Sequence, residues 1–137
     1  MQIADSLCVV SGASSGIGRA TAVELSRRGA RVVLAARSGE RLEALAAQIR
    51  SSSGQAWAFP ADLSKPAEVE ALAKAVLEAH GVPHALIHSA GAGAWRFVEE
   101  TSYEEFAELM DTPYFTTVFL TRAFLPAMLG ENRGFIL

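Results

Sequence analysis

The sequence has little of several features that mark whole classes of protein. It contains one cysteine, Cys8, so an internal disulfide is excluded, and its apolar neighbours predict a buried thiol. The 12 Lys and Arg residues are outnumbered by 15 Asp and Glu, giving a net charge of −3. This balance lacks the basic surplus of a nucleic-acid-binding protein.

Long apolar runs are missing as well. None approaches the roughly 18 residues of a membrane span. The first residues show neither the basic start nor the apolar stretch of a signal peptide, so we expect no membrane association and a cytoplasmic location.

Short apolar runs do occur, and they alternate with segments of helical periodicity. Runs typical of buried strands cover residues 7–10, 32–36, 56–59, 85–88 and 135–137. Between them, Leu42, Leu45, Ala46 and Ile49 repeat at i, i+3, i+4 and i+7, as does a second set beginning at Val69. The alternation predicts an α/β protein, in which residues 1–137 form one Rossmann-type domain with a doubly wound parallel sheet, truncated at about five strands.

Helix ends are also marked. Ser38 and Ser64 are placed to cap two helices at their amino ends. Gly29 follows Arg27 and Arg28 where the first helix should stop.

A glycine-rich turn follows the first predicted strand and precedes the first helix. Such a turn aims unpaired backbone N–H groups at one point, at the positive end of the helix, where a pyrophosphate can bind. We expect Gly12 to allow a tight turn, Gly16 to admit the dinucleotide, and Gly18 to hold the helix close to the sheet.

Residues 11–18, Ser-Gly-Ala-Ser-Ser-Gly-Ile-Gly, resemble the Thr-Gly-x-x-x-Gly-x-Gly signature of the short-chain dehydrogenase/reductase family, with serine in place of threonine. Asp62-Leu63 resembles the family's adenine-contacting segment, and residues 88–91 stand in the place of its Asn-Asn-Ala-Gly. Residues 121–128 resemble the end of its long fourth helix.

This resemblance implies a nicotinamide dinucleotide cofactor and a small-molecule substrate that is a carbonyl or an alcohol. The implied cofactor-binding residues are Gly12, Ser14, Ser15, Gly16, Ile17, Gly18, Arg37, Ser38, Asp62, Leu63, Ser89, Ala90 and Gly91.

The end of the second strand indicates which cofactor is used. Family members that use NAD carry an acidic residue there, whereas this chain has Arg37. An arginine can form a two-pronged bond to a 2′-phosphate, to which Ser15 and Ser38 can add hydroxyl donors. We therefore expect NADP, with NAD as the weaker candidate.

The family's catalytic Tyr-x-x-x-Lys is not found. Tyr103 and Tyr114 are followed four residues later by Ala107 and Val118, and both lysines of the chain precede the tyrosines. In relatives the catalytic serine and tyrosine follow the fifth strand, so we expect the catalytic second half to lie outside this chain. Pro113 stands where the family has an asparagine in its fourth helix, so no catalytic residue is assigned.

Other side chains carry weaker expectations. His88 replaces an asparagine and is interpreted as a support for the sheet, while His80 and His84 are interpreted as solvated loop residues without a metal-binding companion. Trp95 and Phe97 follow the fourth strand, where they can line an apolar pocket or pack under a loop.

Three functions fit these observations: an NADP-dependent oxidoreductase, an NADP-binding module without chemistry, and a truncated relative that acts through association. We also expect a homo-oligomer. The fourth helix carries more apolar residues than one sheet face should cover, namely Val118, Phe119, Leu120, Phe124, Leu125 and Met128.

Overall fold

A computed structural model describes residues 2–91, 93 and 95–137. It contains five strands: β1 (Leu7–Ser11), β2 (Arg31–Ala36), β3 (Gln55–Pro60), β4 (Ala85–Ile87) and β5 (Phe135–Ile136). The strands pair in parallel in the order β3-β2-β1-β4-β5. Successive strands are added on one side of β1 up to β3 and then on its other side from β4, so the strand order reverses between β1 and β4. This order confirms the Rossmann-type sheet that the sequence predicts.

Five helices connect or follow the strands: α1 (Gly16–Arg27), α2 (Gly39–Ser51), α3 (Pro66–His80), α4 (Tyr103–Met110) and α5 (Thr116–Gly130). A 3₁₀ turn covers Val98–Glu100, and a π-helical turn over Asp111–Phe115 joins α4 to α5. None of the helices in the described ranges has the length and apolar character needed to cross a bilayer.

Strand residues alternate between two cores, one on each face of the sheet. Cys8 and Val10 of β1 are fully buried with the apolar faces of α1 and α2. Leu7 and Val9 point the other way and pack with α3 and α5. The predicted apolar faces of α2 and α3 are those that the structure buries, and the predicted buried thiol is confirmed, since burial also raises the pKa of Cys8.

The helix ends confirm one prediction, agree with a second in position only and correct a third. Gly29 adopts a left-handed conformation (φ 86°) just after α1, whereas Ser38 occupies the N-cap position of α2 without a side-chain capping hydrogen bond. Ser64 is not a cap, because α3 begins one residue later, with Lys65 as N-cap and Pro66 as the first helical residue.

The long fourth helix expected from the sequence is interrupted at Pro113, so that it forms α4, the π-helical turn and α5. In the π-helical turn around Pro113, the Thr116 hydroxyl donates to the Thr112 carbonyl and the Thr117 hydroxyl donates to the Pro113 carbonyl, at 2.9 Å for the second. Proline has no backbone N–H and its ring clashes with the preceding turn of a regular helix, and the wide π-helical turn accommodates it.

The apolar residues of α5 are less exposed than we expected. Leu120, Phe124 and Met128 are buried in the core with α3, whereas Val118 and Leu125 are exposed. Leu129, near the end of α5, is exposed as well, so α5 keeps an exposed apolar face and the homo-oligomer stays a prediction.

Both histidines interpreted as solvated are packed against the fold. His80 is the last residue of α3, and its ring lies 4.1 Å from that of Trp57 between centroids. The backbone N–H of Leu7 donates to Nδ1 of His84 over 3.0 Å, and the Leu7 carbonyl accepts from the His84 backbone. His84 thus binds both polar groups of the first residue of β1.

Acid should destabilise the protein through His84. Burial, followed by the charges of Arg133 and Arg31, lowers its pKa from the ordinary 6.5. The stabilisation from neutral His84 is therefore complete above about pH 6.5 and is lost as the pH falls below this value through the lowered pKa. We expect the urea midpoint of unfolding to fall between pH 7.5 and 5.5.

His84→Asn is the matched variant, because its amide oxygen can accept the Leu7 N–H and does not titrate. It should reduce the fall in midpoint, whereas His84→Ala should cost about 1–3 kcal/mol at pH 7.5 by leaving a buried N–H unpaired. An equal fall in wild type and in His84→Asn would contradict the assignment.

Candidate nucleotide-binding site

A cavity of about 440 Å³ lies at the carboxyl edge of the sheet. Its walls come from the segments after four neighbouring strands: Gly12, Ser14, Ser15, Gly16 and Ile17 after β1; Arg37, Ser38 and Arg41 after β2, with Ala36 at its end; Ala61, Asp62, Leu63 and Ser64 after β3; and Ser89, Ala90 and Gly91 after β4. Thr112 and Thr116 complete it. Every residue that the sequence predicted to bind a cofactor lines this cavity except Gly18.

Two glycines of the turn are required by packing. A Cβ on Gly12 would lie 2.5 Å from the Ser89 carbonyl oxygen, and Gly12 also has a positive φ of 66°. A Cβ on Gly18 would lie 2.5 Å from the Gly12 carbonyl oxygen, which holds α1 against the end of β1. The roles expected for both glycines therefore agree with the structure, and for Gly12 the close approach of the segment after β4 is an additional constraint.

Gly16 and Gly91 differ from these, because no atom lies within 4 Å of the Cβ position of either residue. Both line the cavity, and Gly16 has a positive φ of 54°. The missing side chains leave open space where a ligand can approach the backbone.

Ser11 links the first wall, after β1, to the fourth wall, after β4. Its buried hydroxyl oxygen accepts hydrogen bonds from the backbone N–H groups of Ser89 (3.1 Å) and Ala90 (3.2 Å). One side chain at the end of β1 thus holds the segment after β4 in place.

The amino end of α1 carries unneutralised positive character. Its N-cap is Ser15, whose side chain makes no capping hydrogen bond, and its first turn has no acidic residue. The first N–H groups of a helix lack partners within the helix, so this end favours an anion in the cavity.

A second positive wall follows β2. Arg37 is exposed, and Ser38 caps α2 by position without a side-chain hydrogen bond. Arg41, which the sequence reasoning missed, lines the same cavity from the first turn of α2. Its spacing of four residues from Arg37 was the available signal.

The third wall, the segment after β3, contains an ion-pair network in which Asp62 and Glu68 both pair with Lys65. The Asp62 carboxylate accepts from the Ser64 hydroxyl (2.7 Å) and backbone N–H (3.1 Å), and it lies 3.7 Å from the Lys65 ammonium. These hydrogen bonds, that of the hydroxyl first, lower the pKa of Asp62. Glu68 also pairs with Lys65 and accepts from the Asp62 N–H. Ser64, predicted as a helix cap, instead orients Asp62.

The fourth wall is braced from α5. The Nε2 atom of His88 lies 3.0 Å from the Thr121 hydroxyl, and burial lowers the pKa of His88. This agrees with the support role predicted for His88. Trp95 and Phe97 are both exposed and neither lines the cavity, so the structure supports neither of the two expectations for them, an apolar pocket or packing under a loop.

The described residues show no candidate metal-binding cluster. They bring together no group of three or more His, Cys, Asp or Glu side chains that could hold a metal ion.

Comparison with known proteins identifies the family. The family model for short chain dehydrogenases matches residues 6–137. The chain is 36% identical over 129 residues to an NADPH-dependent pterin aldehyde reductase of Arabidopsis thaliana, which covers 93% of this chain and 53% of the plant protein.

Solved structures agree. A metagenomic short-chain oxidoreductase in complex with NADP superposes with a TM-score of 0.89 at 37% identity, covering 99% of this chain and 62% of that one. A short chain dehydrogenase/reductase from Burkholderia phymatum in complex with NAD gives a TM-score of 0.91 at 33% identity, covering 99% and 49%.

The chain therefore belongs to the short chain dehydrogenase family, a family of oxidoreductases with a Rossmann fold. It spans about half the length of the curated relatives that it matches.

Removing the Ser11 hydroxyl should loosen the cavity. Ser11→Ala leaves two N–H groups without their acceptor, so we expect a loss of about 1–3 kcal/mol in the free energy of unfolding. Urea denaturation measures it. Ser11→Thr keeps the hydroxyl and is the control; an Ala variant as stable as the Thr variant would show that the hydroxyl does not hold this segment.

Proposed function

We propose that this chain binds NADP(H) in the cavity at the carboxyl edge of its sheet, as the dinucleotide-binding part of an oxidoreductase. The observation that carries the proposal is the convergence of two positive walls, from α1 and from α2, on one cavity with open space at Gly16 and Gly91. A dinucleotide with a 2′-phosphate carries negative charge at two separated places, and each wall can receive one of them.

The amino end of α1 is suited to the pyrophosphate. Its unpaired N–H groups and dipole favour an anion, and a glycine at position 16 lets the backbone come close to it. Asp62 and Leu63 form the wall where the resemblance implies the adenine, and the hydrogen bonds to Ser64 hold the Asp62 carboxylate ionised and oriented.

The preference for NADP over NAD depends on the wall after β2. Structures of the family are known with NADP and with NAD, so membership of the family does not decide between them. An acidic residue at the end of β2 would repel a 2′-phosphate, whereas Ala36 and Arg37 stand there in this chain. A guanidinium can form paired hydrogen bonds to a phosphate.

A bound nicotinamide nucleotide would supply or accept the hydride in the oxidation or reduction of a carbonyl/alcohol pair. The residues of this chain would bind and orient it. Proton transfer to the carbonyl oxygen needs a group that this chain does not place, since neither tyrosine has a lysine four residues later. Pro113, at the family's asparagine position, has no side-chain amide to offer.

A non-catalytic NADP-binding module is the second candidate, and the observation that favours it is Pro113 at the family's asparagine position. A role through association is the third, and the observation that favours it is the exposure of the apolar residues Val118, Leu125 and Leu129 on α5.

NADPH should bind more tightly than NADH, by about tenfold, because a charge-assisted hydrogen bond to a phosphate contributes about 1.5 kcal/mol at the low end of its usual range. Calorimetric titration of the 137-residue chain with each nucleotide measures the ratio. Arg37→Ala should reduce this ratio of affinities, because it should weaken the binding of NADPH and leave that of NADH unchanged.

The matched control is Arg27→Ala, which removes the same charge from an exposed residue in the last turn of α1, away from this cavity. Equal affinities for the two nucleotides in the wild type, or a ratio that Arg37→Ala leaves unchanged, would contradict the proposed cofactor choice.

The 137 residues alone should bind cofactor without turning over substrate. Reduction of a carbonyl without a proton donor leaves an unstabilised alkoxide. Absorbance of NADPH, followed with a panel of aldehydes and ketones, should not fall faster than in the blank. Sustained oxidation that survives repurification would show that another group donates the proton.

A further inference from the structure

We propose that Glu68 is a positioning residue for the purine base of the nucleotide. By binding the backbone of Asp62, it holds the segment after β3 in the conformation that selects a 6-amino purine over a 6-oxo purine. This inference rests on the proposed function of the cavity and adds to it a residue that determines base specificity without touching the base.

The contact made by Glu68 goes beyond the stabilisation of its own helix. Its Oε2 atom accepts a hydrogen bond from the backbone N–H of Asp62 at 2.7 Å, and its Oε1 atom lies 3.4 Å from the Lys65 ammonium. Glu68 is the third residue of α3, and an acid at this position commonly accepts from the N–H of the N-cap residue. Here the N-cap is Lys65, whose N–H donates to the Asp62 carbonyl at 3.0 Å. The Glu68 carboxylate is therefore used to fix the segment that precedes the helix.

The backbone of this segment has one N–H group left for a ligand. Acceptors within the protein bind the N–H groups of Ala61, Asp62, Ser64 and Lys65. The N–H of Leu63 has no partner among the described residues, and Leu63 lines the cavity. A buried N–H group needs a partner. The hydrogen bond to Glu68 thus leaves Leu63 as the donor that the segment offers.

The acceptor that the segment offers is the Asp62 carboxylate. Its Oδ1 atom accepts from the Ser64 hydroxyl (2.7 Å) and N–H (3.1 Å), and its Oδ2 atom lies 3.7 Å from the Lys65 ammonium. These hydrogen bonds lower the pKa of Asp62, so at neutral pH the group is ionised and can only accept. Asp62 is therefore held at both ends, by Ser64 at its side chain and by Glu68 at its backbone.

A fixed acceptor and a fixed donor fit the edge of a 6-amino purine. The exocyclic amino group of adenine is a donor, and the ring nitrogen beside it is an acceptor. Hypoxanthine has an oxygen in place of the amino group and a protonated ring nitrogen, so its edge has the opposite pattern. A site built to form hydrogen bonds rejects an analogue that leaves its polar groups unpaired. This discrimination requires that the segment stays in place, because a loose turn can present a different group.

The test compares the affinity for NADPH with that for its hypoxanthine analogue, by calorimetric titration of the 137-residue chain. The wild type should favour NADPH by about tenfold. Glu68→Asp keeps the charge but is one methylene shorter, so it should lose the contact with the Asp62 N–H and lower this preference by about fivefold. Glu68→Gln loses the charge but keeps the length and an acceptor oxygen, so it should retain the preference.

Glu70→Gln is the charge control, because Glu70 is an exposed residue of the same helix that does not line the cavity. Thermal unfolding of the ligand-free variants checks folding. Glu68→Asp keeps an acidic residue in the first turn of α3, which stabilises that end of the helix. Ser64→Ala is a second test of the same idea, since it releases the Asp62 side chain and should also lower the preference for NADPH.

The outcomes separate this inference from the proposed function. Wild-type protein that binds neither nucleotide would overturn the function of the cavity itself. Wild-type protein that binds NADPH and the analogue equally well would overturn only the selection of the base. The role of Glu68 alone is overturned if Glu68→Asp weakens both nucleotides by the same factor, because a loss that ignores the base is merely structural. Loss of the preference in a folded Glu68→Gln variant would overturn it as well.

Discussion

The close contact between the ends of β1 and β4 is the constraint on which the rest of the cavity depends. Gly12 lies so near the segment after β4 that any side chain would strike the Ser89 carbonyl, and the Ser11 hydroxyl holds the next two N–H groups. Since β1 is followed by the glycine turn and α1, the same contact sets where the amino end of α1 points. A substitution at either residue would therefore act on both walls.

Acidic and basic groups around the cavity differ in whether they are paired. The carboxylates beside it are bound to Ser64 and Lys65, while the amino end of α1 and the two arginines after β2 have no acidic partner among the described residues. Positive groups already in place on two walls favour the binding of an anionic ligand, which is the arrangement expected of a preorganised site.

Pro113 shows how the fold accommodates a departure from the family pattern. A proline inside a regular helix costs about 3 kcal/mol, and here the chain forms a π-helical turn with threonine hydroxyls bonded to the nearest carbonyls. The same turn brings Thr112 and Thr116 to the wall of the cavity. The sequence shows that proline does not fit a regular helix at this position. It does not predict that Thr112 and Thr116 line the cavity, because a π-helical turn has no strong local sequence signature.

The five strands, the helices with one apolar face and the turn that faces the cavity could be predicted from the sequence, because hydrophobic periodicity and glycine placement act locally. The same is true of most of the cavity lining, since residues after parallel strands must meet at one edge. The roles of His80, His84 and Ser64 could not be predicted in this way, because they follow from the folded arrangement. Each bonds or packs with residues that depend on strand order or on the orientation of a helix start, and residue type alone does not show such partners. The same holds for Arg41: that it faces the cavity unneutralised depends on where α2 begins and on which acids are already paired, and both are properties of the folded chain.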